Sequence, residues 1–209
     1  MLTTLRRQTA VGLRVLIVMT VLCGIVYPLA IWGVSRIPGL SAHAEGSALT
    51  APGTSQVVGS SLIGVDPVAA NPAADPWFHT RPAATTREKG AVLGPADTST
   101  SGGSNKGGFD SGLLAAVQQR RELVAAREGV PAAAVPPDAV TASASGLDPD
   151  IGPDYAALQT ARVARVTGLA PAEVARLVAD HTSGRTLGFL GEPRVHVPEL
   201  NAAIAAARR

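Results

Sequence analysis

The stretch VGLRVLIVMTVLCGIVYPLAIWGV, Val11–Val34, decides how the rest of the chain is read. Between Arg14 and Arg36 it carries no charge, and an apolar run of about 20 residues is what a helix needs to cross a bilayer's hydrocarbon core. Pro28 is tolerable inside a membrane helix, and Tyr27 and Trp32 near the far end suit the interfacial aromatic belt. The segment reads as a transmembrane anchor over residues 11–35.

Two other readings of the segment are weaker. A cleavable signal peptide has an apolar stretch of about 7 to 15 residues with a small-x-small site close behind it. Ala42-His43-Ala44 offers such a site, but well beyond the apolar run and past Pro38 and Gly39. Acylation of Cys23 would need a small residue before it, where Leu22 stands.

Orientation follows from the flanking charge, because Lys and Arg close to a span prefer the cytoplasm. Arg6, Arg7 and Arg14 come early and only Arg36 follows closely. Residues 1–10 are therefore expected in the cytoplasm, and the bulk of the chain outside, as a single-pass protein of the cell membrane in contact with lipid. Cys23 is the only cysteine among 209 residues, so the exported part must hold together by packing without a disulfide. Aromatic residues make up 3% of the chain against 46% hydrophobic, which predicts a helix-rich core of small side chains. The formal charge of +2 comes from scattered arginines rather than a clustered basic face, which excludes a nucleic-acid partner.

Beyond the span, residues 36–56 are rich in Pro, Gly, Ser and Ala and read as a linker, leaving an exported domain over residues 57–209. Gln56–Val65, QVVGSSLIGV, reads as a strand or a hairpin. Prolines at 67, 72 and 76 and the Gly/Ser/Thr-rich stretch Thr85–Gly108 predict a long irregular region. Helices are expected from a Ser111 cap to Glu128 with Gly129 as the stop, over Asp154–Thr167, and from Pro171 past His181 towards Gly184. Pro193–Val197 alternates like a strand, and a closing helix spans Pro198–Arg208. The class is α+β or α/β, tethered by one N-terminal transmembrane helix.

Several segments bear on chemistry. In WFHTRP, Trp77–Pro82, His79 and Arg81 suit an anion or an acidic partner; the plainer reading has Trp77 and Phe78 anchoring the loop while the polar pair faces water. SGGSNKGG, Ser101–Gly108, lacks the spacing of a phosphate loop, and Asn105 suits a left-handed turn. His43, His79, His181 and His196 do not fall at zinc-ligand spacing, so no metal site is expected. There is no Gly-x-Ser-x-Gly elbow, and no serine has a His and an Asp in a triad pattern, so no catalytic residue is assigned. In VTASASGLDPDIGP, Val140–Pro153, Asp148 before Pro149 reads as a helix cap with proline at the first helical position. Thr141, Ser143 and Ser145 fall at every second position and would share one face of an extended segment.

A family resemblance gathers these blocks. GGSN (Gly102–Asn105), VTAS (Val140–Ser143), SGLDP (Ser145–Pro149), RVAR (Arg162–Arg165) and HTSGRTLGFLGEPRVHVPELN (His181–Asn201) together resemble KdpC. LIG (Leu62–Gly64) and WFHTRP are similar to further blocks of that family, in the same order along essentially the whole chain. Two positions depart: the family's GGSNLGP reads GGSNKGG here, with Lys106 and Gly108, and the His common after SGLDP is Asp150. No role is carried over to those positions.

The resemblance implies an accessory subunit of an ATP-driven, high-affinity potassium-import complex, with a channel-like potassium-binding subunit, a P-type ATPase subunit and a small hydrophobic subunit as partners. Potassium is then the transported ion, ATP belongs to the ATPase subunit, and this chain binds no cofactor directly and is not an enzyme on its own; no DKTGT motif occurs in it. The family is described as assisting assembly and stimulating the ATPase subunit, as a catalytic chaperone that raises its ATP affinity or as an external cap on the potassium entrance. The residues expected to form the partner-contact or ligand loop are Ser104, Asn105, Thr141, Ser143, Ser145 and Asp148. The competing functional class is a membrane-tethered extracytoplasmic binding or sensor module.

Overall fold

The computed structural model describes residues 1–51 and 53–208. Its first element is a continuous helix, α1, over Leu2–Ser35, whose most apolar window has a mean hydropathy of 2.4 and none of whose residues in that window is buried by protein. A helix apolar on all sides with nothing packed on it is a helix for lipid. It starts nine residues earlier than the apolar run, so Arg6, Arg7 and Arg14 ride on the helix itself. Pro28 has no N–H to give the preceding turn, and the chain widens into a π-helical turn over Leu22–Val26 just before it. At the far end the Arg36 guanidinium lies 5.3 Å from the centre of the Trp32 ring and pairs with Glu45 at 2.7 Å.

The chain divides into two compact units, Met1–Ser47 and Ala48–Arg209. The stretch expected to be a featureless linker contains a single helical turn, Ser41–Ala44, and then a strand. This strand, β1 (Ala48–Thr50), runs antiparallel to β2 (Val57–Ser60), with Ala48 opposite Ser60 and Leu49 opposite Gly59. Ala-Leu-Thr carries too short a pattern to announce itself, and only the partner strand makes it one.

Two helices end where the sequence puts them, and a third ends early: the helix expected from Pro171 to Gly184 stops at Asp180, and Thr182–Ser183 pairs as a strand instead. α2 (Ser111–Glu128) ends on Gly129 in the left-handed region at φ 71°. Its cap is Asp110, one residue before the expected Ser111, with the carboxylate accepting from the Leu113 N–H at 2.8 Å. α3 (Pro153–Thr167) opens on a proline and closes on Gly168 at φ 75°, and α4 (Pro171–Asp180) opens the same way. Asp148 does not cap α3. Gly152 occupies that position, and Asp148 instead accepts from the Asp150 N–H at 3.0 Å, an Asx turn that bends the chain into the sheet.

The sheet has the order β3-β5-β4, from β3 (Asp150–Ile151), β4 (Thr182–Ser183) and β5 (Arg194–His196), and both pairings are antiparallel. The tethered domain is therefore α+β, because no parallel crossover builds it. β5 runs straight into α5 (Val197–Ala207). Between the sheet and the helices lies one core: Val124, Val140, Ile151, Val163, Val174, Val195, Leu200 and Ile204 are at most 2% exposed, with Phe78 and Tyr155 as its buried aromatics. The small-residue, helix-rich core expected from composition is present.

Candidate functional site

WFHTRP runs through this core outside any helix or strand. Backbone groups buried in this way need partners, and two side-chain amides supply them. Asn201 on α5 accepts from the Phe78 N–H and donates to the Phe78 carbonyl, both at 2.8 Å. Gln159 on α3 accepts from the His79 N–H at 2.7 Å and donates to the His79 carbonyl at 3.2 Å.

The side chain of His79 is buried, not turned to water as the plainer reading of the motif had it. Nδ1 lies 3.0 Å from Asp66 Oδ1 and Nε2 lies 2.7 Å from Asp75 Oδ2. Only the imidazolium donates from both nitrogens, so this geometry suits the charged ring. Burial pulls His79 towards neutrality, but the Asp66 charge and the two carboxylate hydrogen bonds prevail and hold its pKa above the ordinary value. Burial likewise pushes Asp75 up, and the bond and charge of His79 overcome it and hold Asp75 below the usual carboxylate range. Around this pair, Arg162 reaches the Asp75 carbonyl at 2.7 Å and Glu128 at 2.9 Å, while Arg127 pairs with Glu128 at 2.7 Å and donates to the Tyr155 hydroxyl at 2.8 Å. Burial pushes the Tyr155 phenol up to about 12 against the opposing pull of Arg127. Three cations face three carboxylates, so the network is neutral only while His79 is protonated.

Above this network, three loops lie against one another. The Gly102 N–H donates to the Ser145 carbonyl at 2.8 Å, Gly64 donates to the Leu147 carbonyl at 2.9 Å, and Ser143 donates to the Pro82 carbonyl at 2.9 Å. The approach is so close that a Cβ on Gly64 would sit 2.2 Å from the Asp148 carbonyl oxygen, and one on Gly103 would sit 3.2 Å from that of Ala144. Gly146 of SGLDP has φ 74° and would set a Cβ 3.1 Å from the Gly102 carbonyl oxygen, so LIG, GGSN and SGLDP each carry a glycine where they meet.

Of the six candidate residues, Ser104, Asn105, Thr141 and Ser145 stand exposed on this platform, with Asn105 in the left-handed region at φ 50°. Ser143 is 2% exposed, and its hydroxyl accepts from the Gly146 N–H at 3.0 Å within the turn. The segment is a series of turns rather than an extended strand: the Ser143 and Ser145 hydroxyls meet at 3.1 Å, while the Thr141 hydroxyl turns back to the Pro137 carbonyl, and Ser145 also accepts from the Leu147 N–H. Asp148 is half-buried, 3.4 Å from Arg81 Nη1. Arg81 Nε is buried without a hydrogen-bond partner, alone in this among the described residues.

One constellation escaped the sequence altogether. Ser183, His196 and Asp150 lie far apart in the chain, yet Ser183 Oγ is 2.8 Å from His196 Nε2 and His196 Nδ1 is 2.6 Å from Asp150 Oδ1. The expectation that no serine has a His and an Asp beside it is therefore corrected. Only the register of a sheet reveals the grouping.

The family described as "K+-transporting ATPase, c chain" matches residues 9–206. The chain belongs to the KdpC family. It is 46% identical to the potassium-transporting ATPase KdpC subunit of Kineococcus radiotolerans, over 99% of this chain and 97% of that one. Identity is 44% to the protein of the same name from Streptomyces avermitilis, over 92% of this chain and 90% of the other. It is 46% to that from Variovorax paradoxus, over 90% and 91%. The match runs through α1, the platform loops and WFHTRP alike, so the tether and the domain are both family features.

Proposed function

We propose that this KdpC-family chain is the accessory subunit of an ATP-driven potassium-import complex and works by contact rather than by chemistry on ATP. Its relatives carry the name of a potassium-transporting ATPase subunit over nearly the whole chain, and one apolar helix fits a single-pass member of a membrane assembly. The partners of such a subunit are the channel-like potassium-binding subunit, the P-type ATPase subunit and the small hydrophobic subunit.

The observation that carries the orientation is the uneven charge on α1. Arg6, Arg7 and Arg14 lie on its N-terminal half and Arg36 at its other end, an arrangement that favours an N-terminus in the cytoplasm and the α+β domain outside. A domain on that side does not meet the cell's ATP. Stimulation of the ATPase subunit, including any rise in its ATP affinity, then passes through subunit contacts, as a coupling between distant sites.

The platform of Ser104, Asn105, Thr141 and Ser145, with Asp148 at its edge, is the surface through which the domain meets the channel-like subunit. Its support is mechanical: glycine contacts and backbone bonds hold the three loops to one another, so exposed polar groups are presented on a fixed frame. Ser104→Arg, on a side chain that faces solvent, tests it. The variant folds as the parent does and loses co-purification with the channel-like subunit or at least about tenfold in potassium affinity. Unchanged composition and affinity would remove the platform from the interface.

A further inference from the structure

We propose that Ser183 is a reactive nucleophile, activated by His196 and oriented through Asp150, and that it is a site of covalent modification by carbonyl or phosphoryl electrophiles. The small sheet sets the geometry. Asp150 stands directly opposite His196 in the β3–β5 pairing, and Ser183 opposite Arg194 in the β4–β5 pairing. Arg194 and His196 are two residues apart on β5 and share a face, so all four side chains lie on the same side of the sheet. Val195, between them, points the other way and is fully buried. The relay therefore occupies the outer face of a sheet whose inner face is core, a rigid footing for a hydrogen-bonded chain of side chains.

Each member has a defined task. In the neutral ring, Asp150 accepts from Nδ1–H at 2.6 Å, which leaves the Nε2 lone pair for the Ser183 hydroxyl at 2.8 Å. The other oxygen of Asp150 is held by Arg194 Nε at 3.0 Å, and its strand position is fixed by the Asx turn from Asp148. Asp150 is a positioning residue, and His196 the base that takes the hydroxyl proton. His196 and Asp150 are 24% and 22% exposed, so a reagent reaches the face without unfolding it. Gly184, next in the chain, is exposed and has open space where a Cβ would stand, which leaves the approach to Ser183 uncrowded. Nothing in the transport role above uses these three side chains.

With a fluorophosphonate the step balances simply. Ser183 Oγ bonds to phosphorus, the P–F bond breaks with its electrons leaving on fluoride, and the hydroxyl proton passes to His196 Nε2. An activated carboxylic ester reacts likewise, its alcohol leaving with that proton.

The test treats the purified full-length chain in detergent with a fluorophosphonate probe, maps the adduct by mass spectrometry and measures its rate of formation. A single adduct on Ser183 is expected, absent in Ser183→Ala. Its rate falls about a hundredfold in His196→Gln and comparably in Asp150→Asn, with the rate partly restored in Asp150→Glu, a rescue that a purely structural carboxylate would not show. Melting curves matching the parent's keep these losses distinct from unfolding; should Asp150→Asn melt early, the comparison rests on His196→Gln. No adduct on Ser183, or an adduct whose rate ignores His196, overturns the proposal. Potassium affinity of the complex is expected to be unchanged by Ser183→Ala, so failure here leaves the subunit role standing.

Discussion

Single side chains in the buried network carry opposite pH dependences. His79 has its pKa raised in the folded state, so its stabilisation is complete below the ordinary value of 6.5 and is lost as pH climbs through the raised value. Asp75 is lowered, so its contribution is present above 3.8 and is lost as pH falls through the lowered value. Melting temperature measured across pH is therefore expected to decline on both sides of a plateau, and His79→Gln to flatten the alkaline side. Removing a cation is costlier than titrating one: Arg162→Ala leaves Glu128, which has no exposed side-chain surface, with Arg127 alone, and takes the guanidinium away from Asp75. Loss of a buried pair's partner costs about 3–5 kcal/mol, read as a drop in denaturation midpoint. Gly64→Ala drives a methyl group into the Asp148 backbone and should cost about 1–3 kcal/mol by the same measurement.

At the scale of elements, the buried WFHTRP segment depends on α3 and α5 rather than on a neighbouring strand. Gln159→Leu leaves the His79 N–H and carbonyl buried without partners, and a loss of about 2–4 kcal/mol in unfolding free energy is the expected result. This arrangement also shows what the residues disclosed and what they withheld. Helix limits were legible where their causes are local: Gly129 stops the helix it follows, and Pro171 opens one where the pattern put it, but that helix ends at Asp180 rather than Gly184 because strand pairing takes Thr182–Ser183. β1 was not, since three residues become a strand only through a partner that follows across a turn. In Val140–Pro153 the Asx turn at Asp148 replaces the expected helix cap, and the inward Ser143 breaks the face expected of Thr141, Ser143 and Ser145 in an extended segment. The bonds between Gln159 and His79, and between Asn201 and Phe78, join residues 80 and 123 positions apart, beyond any sequence period. The grouping of Asp150, Ser183 and His196 has the same origin, in strand register rather than in spacing.

For the whole molecule, the tether decides which compartment the domain serves. The family membership rests on a match over residues 9–206, but the direction in which α1 crosses the bilayer rests on the four arginines that flank and cap its apolar run. If those charges set the topology, the platform and the reactive face lie outside the cytoplasm and never meet the nucleotide pool, and stimulation of the pump is conveyed through neighbouring subunits. A C-terminal fusion to an enzyme active only outside the cytoplasm, paired with one to a reporter that fluoresces only inside, reads this directly. Enzyme activity with a dark fluorescent fusion is the outcome expected of an outward-facing subunit; a bright fluorescent fusion with an inactive enzyme would contradict it.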